Sequence, residues 1–173
     1  MASIPECVYL FKKIFCQYGN FKVLFFCVMN LPKYPIFASE EKHEYGFFSE
    51  GPMGKIRKVV RYDKIGNDLF NLGFGDWSEE LKGINDFNRS NNGDRDKVLN
   101  TVASTAIVFT DQFPNAQLFV EGSTSSRTRL YQMGVAHNLL EINKLFEIKG
   151  FKDEQWEIFQ LGRKYEAFLI IRK

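Results

Sequence analysis

The sequence predicts an α/β (α+β) fold, a mixed and mostly antiparallel sheet flanked by helices. Three stretches carry that expectation. "HEYGFFSEGPMGKIRKVVRYDKI" reads as two strands joined through the turn formers Gly51, Pro52, Met53 and Gly54. "NNGDRDKVLNTVASTAIVFTDQF" sets Val98, Val102, Ala106, Phe109 and Phe113 on one apolar helical stripe. "YEAFLIIRK" closes the chain as a strand apolar on both faces, which belongs inside a sheet.

Each element follows from its residues. In the second strand Ile56, Val60 and Tyr62 share one face, and Lys55, Arg57 and Arg61 the other, as a half-solvated antiparallel strand requires. "DLFNLGFGDW" is a third strand, where Gly73 and Gly75 predict a bulge or a close backbone approach. Residues 81–93 read as polar loop. The long helix begins at Asn92 or Asp94 and stops before Pro114. "AQLFVEGS" is a short buried strand. A second helix is expected over 125–143, with Leu130, Met133, Leu140 and His137 inward. "LFEIKGF" is another strand and "DEQWEIFQLG" a short helix. The order β-β-β-α-β-α-β-(α)-β makes an α/β sandwich.

The chain of 173 residues suits one domain with a real core. A net charge of +2 is too small to argue for nucleic acid or membrane. Residues 1–28 hold that excess and all three cysteines, Cys7, Cys16 and Cys27; from residue 29 onward the charges balance. The apolar run 23–28 is too short for a signal segment or a membrane span. We therefore expect an N-terminal extension over 1–28, upstream of a natural start at Met29, and a single domain over 29–173. The alternative is an N-terminal helix packed on that domain. A body without cysteine suits a reducing, cytoplasmic setting. His43 and His137 belong to no metal-spaced cluster, so no metal site is expected. The absence of a Gly-x-Ser-x-Gly turn argues against serine hydrolase chemistry.

"GSTSSRTRLYQMG" (122–134) is the stretch with most chemistry. A strand that runs through glycine into a helix presents backbone N–H groups and the positive dipole end to an anion. "SNNGDRDK" (90–97) repeats that logic. A phosphate-bearing ligand would then be held by Asn92, Gly93, Arg95, Ser123, Thr124, Arg127 and Arg129. The competing reading is ordinary helix capping, and Asp94 and Asp96 would oppose an anion at the first helix. Both readings stay open.

Two resemblances extend this. Residues 69–173 resemble in element order the second half of the GNAT acetyltransferase superfamily, giving a GNAT-like sandwich. In that superfamily the cofactor's pyrophosphate sits at the first helix start. "RTRLYQMGV" is similar to its Leu-Tyr helix, which implies acetyl-CoA as cofactor and Tyr131 as the acid that protonates the departing thiolate. Separately, "MNLPKYP", "SEGPMGKIRKVV", "NLGFGD", "SNNGDRDKVLNTVA", "GSTSSRTRLYQMG" and "YEAFLIIRK" resemble a family of unknown function found mainly in Bacteroidota, over 29–173. That likeness implies a small bacterial protein and supplies no activity.

Two non-enzymatic classes compete with an acyl-transfer enzyme. Lys55, Arg57, Lys58 and Arg61 with Tyr62, Phe70 or Trp77 would form a single-stranded RNA surface. Phe47, Phe48 and Trp77 would serve a protein partner, as in a toxin–antitoxin pair. A charged solvent face on an edge strand is the simpler reading of the basic set.

Overall fold

The computed structural model describes residues 22–24 (backbone only), 31–85 and 90–173. They form ten strands and three helices: β1 (Lys22–Leu24), β2 (Ile36–Ala38), β3 (Glu44–Gly51), β4 (Gly54–Lys64), β5 (Leu69–Ser78), β6 (Gly83–Asn85), α1 (Arg95–Gln112), β7 (Gln117–Val120), α2 (Ser125–His137), α3 (Leu139–Leu145), β8 (Phe146–Lys152), β9 (Gln155–Ile158) and β10 (Ala167–Arg172). One mixed sheet runs β1-β2-β3-β4-β5-β7-β10-β8-β9, and β6 pairs the far end of β5. Every neighbouring pair is antiparallel except β5·β7. This is the expected mixed α/β sandwich, with β10 interior to the sheet.

The expected hairpin forms with Gly51 facing Gly54 across the turn, and Gly54 in the left-handed region at φ 88°. The register then carries Tyr45, Phe47 and Ser49 of β3, and Val60 and Tyr62 of β4, to the helix-covered face, all buried. The predicted α1 stripe meets them. Phe109 stacks flat on Tyr62 with ring centroids 4.0 Å apart, and Phe70, Phe113 and His43 close round the pair. His43 donates from Nδ1 to the Tyr62 carbonyl at 3.2 Å, so it is a satisfied core-rim histidine.

Polar side chains of α1 are buried as well, in part because the segment before β2 lies against the helix. Tyr34 N–H donates to Thr101 Oγ1 (2.9 Å), and Asn100 donates to the Pro32 carbonyl (3.2 Å). The hydroxyls of Thr101, Ser104, Thr105 and Thr110 donate to carbonyls three or four residues back, which satisfies them inside the helix.

Four expectations need correction. Residues 155–158 are a strand, not a helix: Asp153 and Glu154 both take positive φ (48° and 61°), and this two-residue turn folds β9 back on β8. Residues 83–85 are a strand within the supposed loop, and Ile84 sits over Gly75. That is the close approach the glycine permits, while β4·β5 pairing continues without a bulge. The second helix breaks at Asn138, whose N–H and side-chain amide both bond the Gly134 carbonyl while its own carbonyl starts α3. The inner face of α2 carries Thr128, Tyr131 and Val135; Met133, His137 and Leu140 are exposed. Thr128 misleads a reading by hydropathy, because it is polar yet buried, its hydroxyl accepting from the Gly122 N–H at 3.1 Å.

β1 adds an edge strand to β2 from within the segment 1–28. The two readings of that segment, and of a start at Met29, otherwise concern residues outside those described.

Lys58 is the one sequence-assigned surface cation that folds inward. It lies on the core face at 5% exposure, ion-paired with its cross-strand neighbour Asp76 and bonded to Ser90 Oγ at 2.6 Å. Removing the carboxylate leaves a buried ammonium, whereas removing the lysine leaves a carboxylate nearer solvent. Asp76→Ala should therefore lose about 3 kcal/mol in urea unfolding, and Lys58→Met clearly less. Tyr45 offers the converse case: its buried hydroxyl has no hydrogen-bond partner among the described residues, and burial pushes its pKa far above the phenol range. Tyr45→Phe should keep or raise stability, by up to about 1 kcal/mol, measured in the same unfolding series.

Candidate functional site

Parallel pairing positions the site. β5 and β7 share a ladder only from Leu69–Asn71 to Gln117–Phe119, although β5 continues to Ser78. β6 takes up the edge of β5 again from Asp76. Between those two ladders the strands part, and a cleft of about 420 Å³ opens at the carboxyl end of β7. Ligand sites in α/β sheets favour the carboxyl ends of parallel strands.

One wall comes from β4 and β5, with Arg61, Asp63, Asn71 and Gly73; the other comes from Glu121, Gly122, Ser123 and, on α2, Tyr131. Arg61 and Asp63 form an ion pair at 3.0 Å, both half-exposed. Packing dictates the turn at 122: a Cβ on Gly122 would run into the first turn of α2. Thr124 is the N-cap, its hydroxyl accepting from the Arg127 N–H at 3.3 Å. Arg127 then swings its guanidinium back to donate to Ser123 Oγ at 2.7 Å, which holds a cation at the cleft rim. Arg129 is exposed on the same helix.

The other half of the expected ligand set lies elsewhere. β5 and β7 point the same way, so both helix starts are at one end of the sheet, but the start of α1 rests on the β3–β4 hairpin. Asn92, 4% exposed, donates to Ser49 Oγ (2.8 Å) and the Gly54 carbonyl (3.0 Å) and accepts from Met53 N–H (2.9 Å). A Cβ on Gly51 would meet the Asn92 backbone, so hairpin and loop touch directly. Gly93 takes φ 75° beside Pro52, and Arg95 pairs with its neighbour Asp96. The Asp94 carboxylate accepts from Tyr34 Oη (2.8 Å) and Ser49 Oγ (2.7 Å), so the helix start already holds an anion of its own. Burial, then Asp94, raises the Tyr34 pKa.

The structure thus brings Ser123 and Tyr131 into the cleft, with Thr124 and Arg127 at its edge. Asn92 is bound up in the fold, while Gly93 and Arg95 stand exposed at the start of α1 and do not line the cleft. Sequence reasoning passed over Asp63, Asn71 and Glu121. The signal for them was the strand alternation that sends 61, 63 and 71 to the face opposite Tyr62 and Leu72.

The chain matches the model of DUF6934, a family of unknown function, over residues 30–173. It belongs to that family. No curated protein and no solved structure matches it. The match agrees with the likeness noted over 29–173 and leaves the activity to be argued from the site. No three His, Cys, Asp or Glu side chains among the described residues cluster to hold a metal ion, and no helix among them is long and apolar enough to cross a membrane.

The basic surface is smaller than its sequence implied. Tyr62, Phe70 and Lys58 face the core, as does Phe47. On the open face Lys55 lies over Phe48 (4.6 Å) and Arg57 over Trp77 (4.5 Å), and Glu50 and Glu79 pair the same two cations.

The bonds of Asn92 make it a structural clamp. Asn92→Ala should cost about 2–3 kcal/mol in chemical unfolding, and leave any ligand affinity of the folded protein within about twofold.

Proposed function

We propose that this chain is an acyltransferase-like domain that binds a phosphate-bearing thioester of the acetyl-CoA kind in the β5/β7 cleft. The observation that carries the reading is Tyr131: singled out in the sequence as a thiolate acid, it lines the gap where the parallel strands part. The chain order β5, α1, β7, α2, β8, β10 supports it, with β6, α3 and β9 interposed, because the GNAT resemblance implies strand, helix, strand, helix, strand, strand.

In this reading Ser123, Thr124 and Arg127, with Arg129 nearby, meet the phosphates at the α2 N-terminus. An acceptor amine enters over Glu121, which takes its proton directly or through a water. The amine nitrogen bonds to the thioester carbonyl carbon, the C–S bond breaks, and the Tyr131 hydroxyl protonates the leaving thiolate. Asp63 is committed to Arg61, which leaves Glu121 as the better base. Asp94 occupies the start of α1, so the ligand's charge is assigned to α2, a departure from the GNAT resemblance, which implies the pyrophosphate at the first helix start. The cysteine-free body suits a cytoplasmic setting. A nucleic-acid or protein-partner role is the less favoured reading, because the open-face cations are internally paired.

Calorimetric titration of CoA and acetyl-CoA into the full chain tests this. Saturable binding in the micromolar range is expected, weakened about tenfold or more by Arg127→Ala. Tyr131→Phe should bind normally and lose turnover with amine acceptors. Folded protein that gives no heat with either ligand overturns the reading.

A further inference from the structure

The cleft is backed by a second void. Under the helices lies an apolar cavity of about 120 Å³, bounded by Leu99 and Val102 on α1, Val135 on α2, Ile142 on α3, and Val120 and Ile148 on the sheet. Leu72, Phe74 and Tyr131 line both the cavity and the cleft, so the two lie back to back at the proposed proton donor. The amide-bearing side chains along the cavity are occupied: Asn100 donates to the Pro32 carbonyl and Asn138 to that of Gly134. Water needs two to four polar partners to settle in such a space, so this half-open apolar pocket suits hydrocarbon instead.

We propose that this cavity receives the acyl chain of the thioester, and that the domain prefers chains of about four to six carbons over acetyl. The inference rests on the cleft being the thioester site. Volume sets the length: an apolar cavity of about 150 Å³ holds a six-carbon ring, so about 120 Å³ holds about five carbons. An acetyl group would leave most of it empty. Position sets the direction, since a chain bound with its sulfur at Tyr131 has the apolar cavity directly behind that residue.

The test is a titration series on the full chain with CoA and its acetyl, butyryl, hexanoyl and dodecanoyl thioesters. Affinity should climb by up to about fourfold per added methylene as far as hexanoyl, and level off or fall at dodecanoyl. Ala103→Leu, which fills the cavity from α1, should erase that climb and leave the affinity for free CoA unchanged, with folding checked by circular dichroism. CoA binding with no dependence on chain length overturns the proposal and leaves the cleft reading intact. A climb that survives in folded Ala103→Leu overturns it too, placing the chain elsewhere. Binding of none of the five by the wild-type chain removes both readings together.

Discussion

The parallel pairing of β5 with β7 is the constraint on which the rest of this structure depends. Antiparallel neighbours can be joined by a tight turn, but a parallel pair demands a crossover, and α1 supplies it. The crossover helix must lie on one face of the sheet, and there its aromatic stripe meets Tyr62 and Phe70. Two strands pointing the same way also send both following helices off at one end of the sheet. The short ladder, ending at Asn71 and Phe119, lets the strands part there. Cleft, helix starts and covered core are thus consequences of a single pairing.

The two helix starts illustrate how similar sequence signals acquire different uses. Each has glycine, small polar residues and an arginine within a few positions. At α1 the β3–β4 hairpin presses against the loop, and Asn92 and Asp94 are consumed in bonding it. A carboxylate held by Tyr34 and Ser49 occupies the region where the helix dipole would draw a ligand anion. At α2 Thr124 caps, Thr128 ties down Gly122, and Arg127 is folded back over Ser123 at the mouth of the cleft.

Polarity changes abruptly across Tyr131. On one side lie Arg61, Asp63, Asn71 and Glu121; on the other, aliphatic side chains from all three helices and the sheet. A boundary of that sort suits a molecule with a charged end and a hydrocarbon end. The helix layer is interrupted beside this space, where Asn138 ends α2 and begins α3.

Local chemistry alone determined much here. The β3–β4 hairpin, the phase of α1, the interior place of β10 and the mixed α/β class were readable, because turn glycines, a four-residue apolar step and a two-sided apolar strand are local signals. The membership over residues 30–173 was legible in motifs for the same reason. Tertiary structure decided the rest. Lys58 lies inside because a cross-strand partner, Asp76, satisfies its ammonium, and Thr128 because the strand-to-helix turn brings the Gly122 N–H to its hydroxyl. The β8–β9 turn runs through two non-glycine residues at positive φ, which residue preferences do not announce. The cleft itself gathers residues 61 to 131 from four elements, and only the β5·β7 register brings them face to face. Hydrophobic period shows which way a side chain points; it does not show what stands opposite.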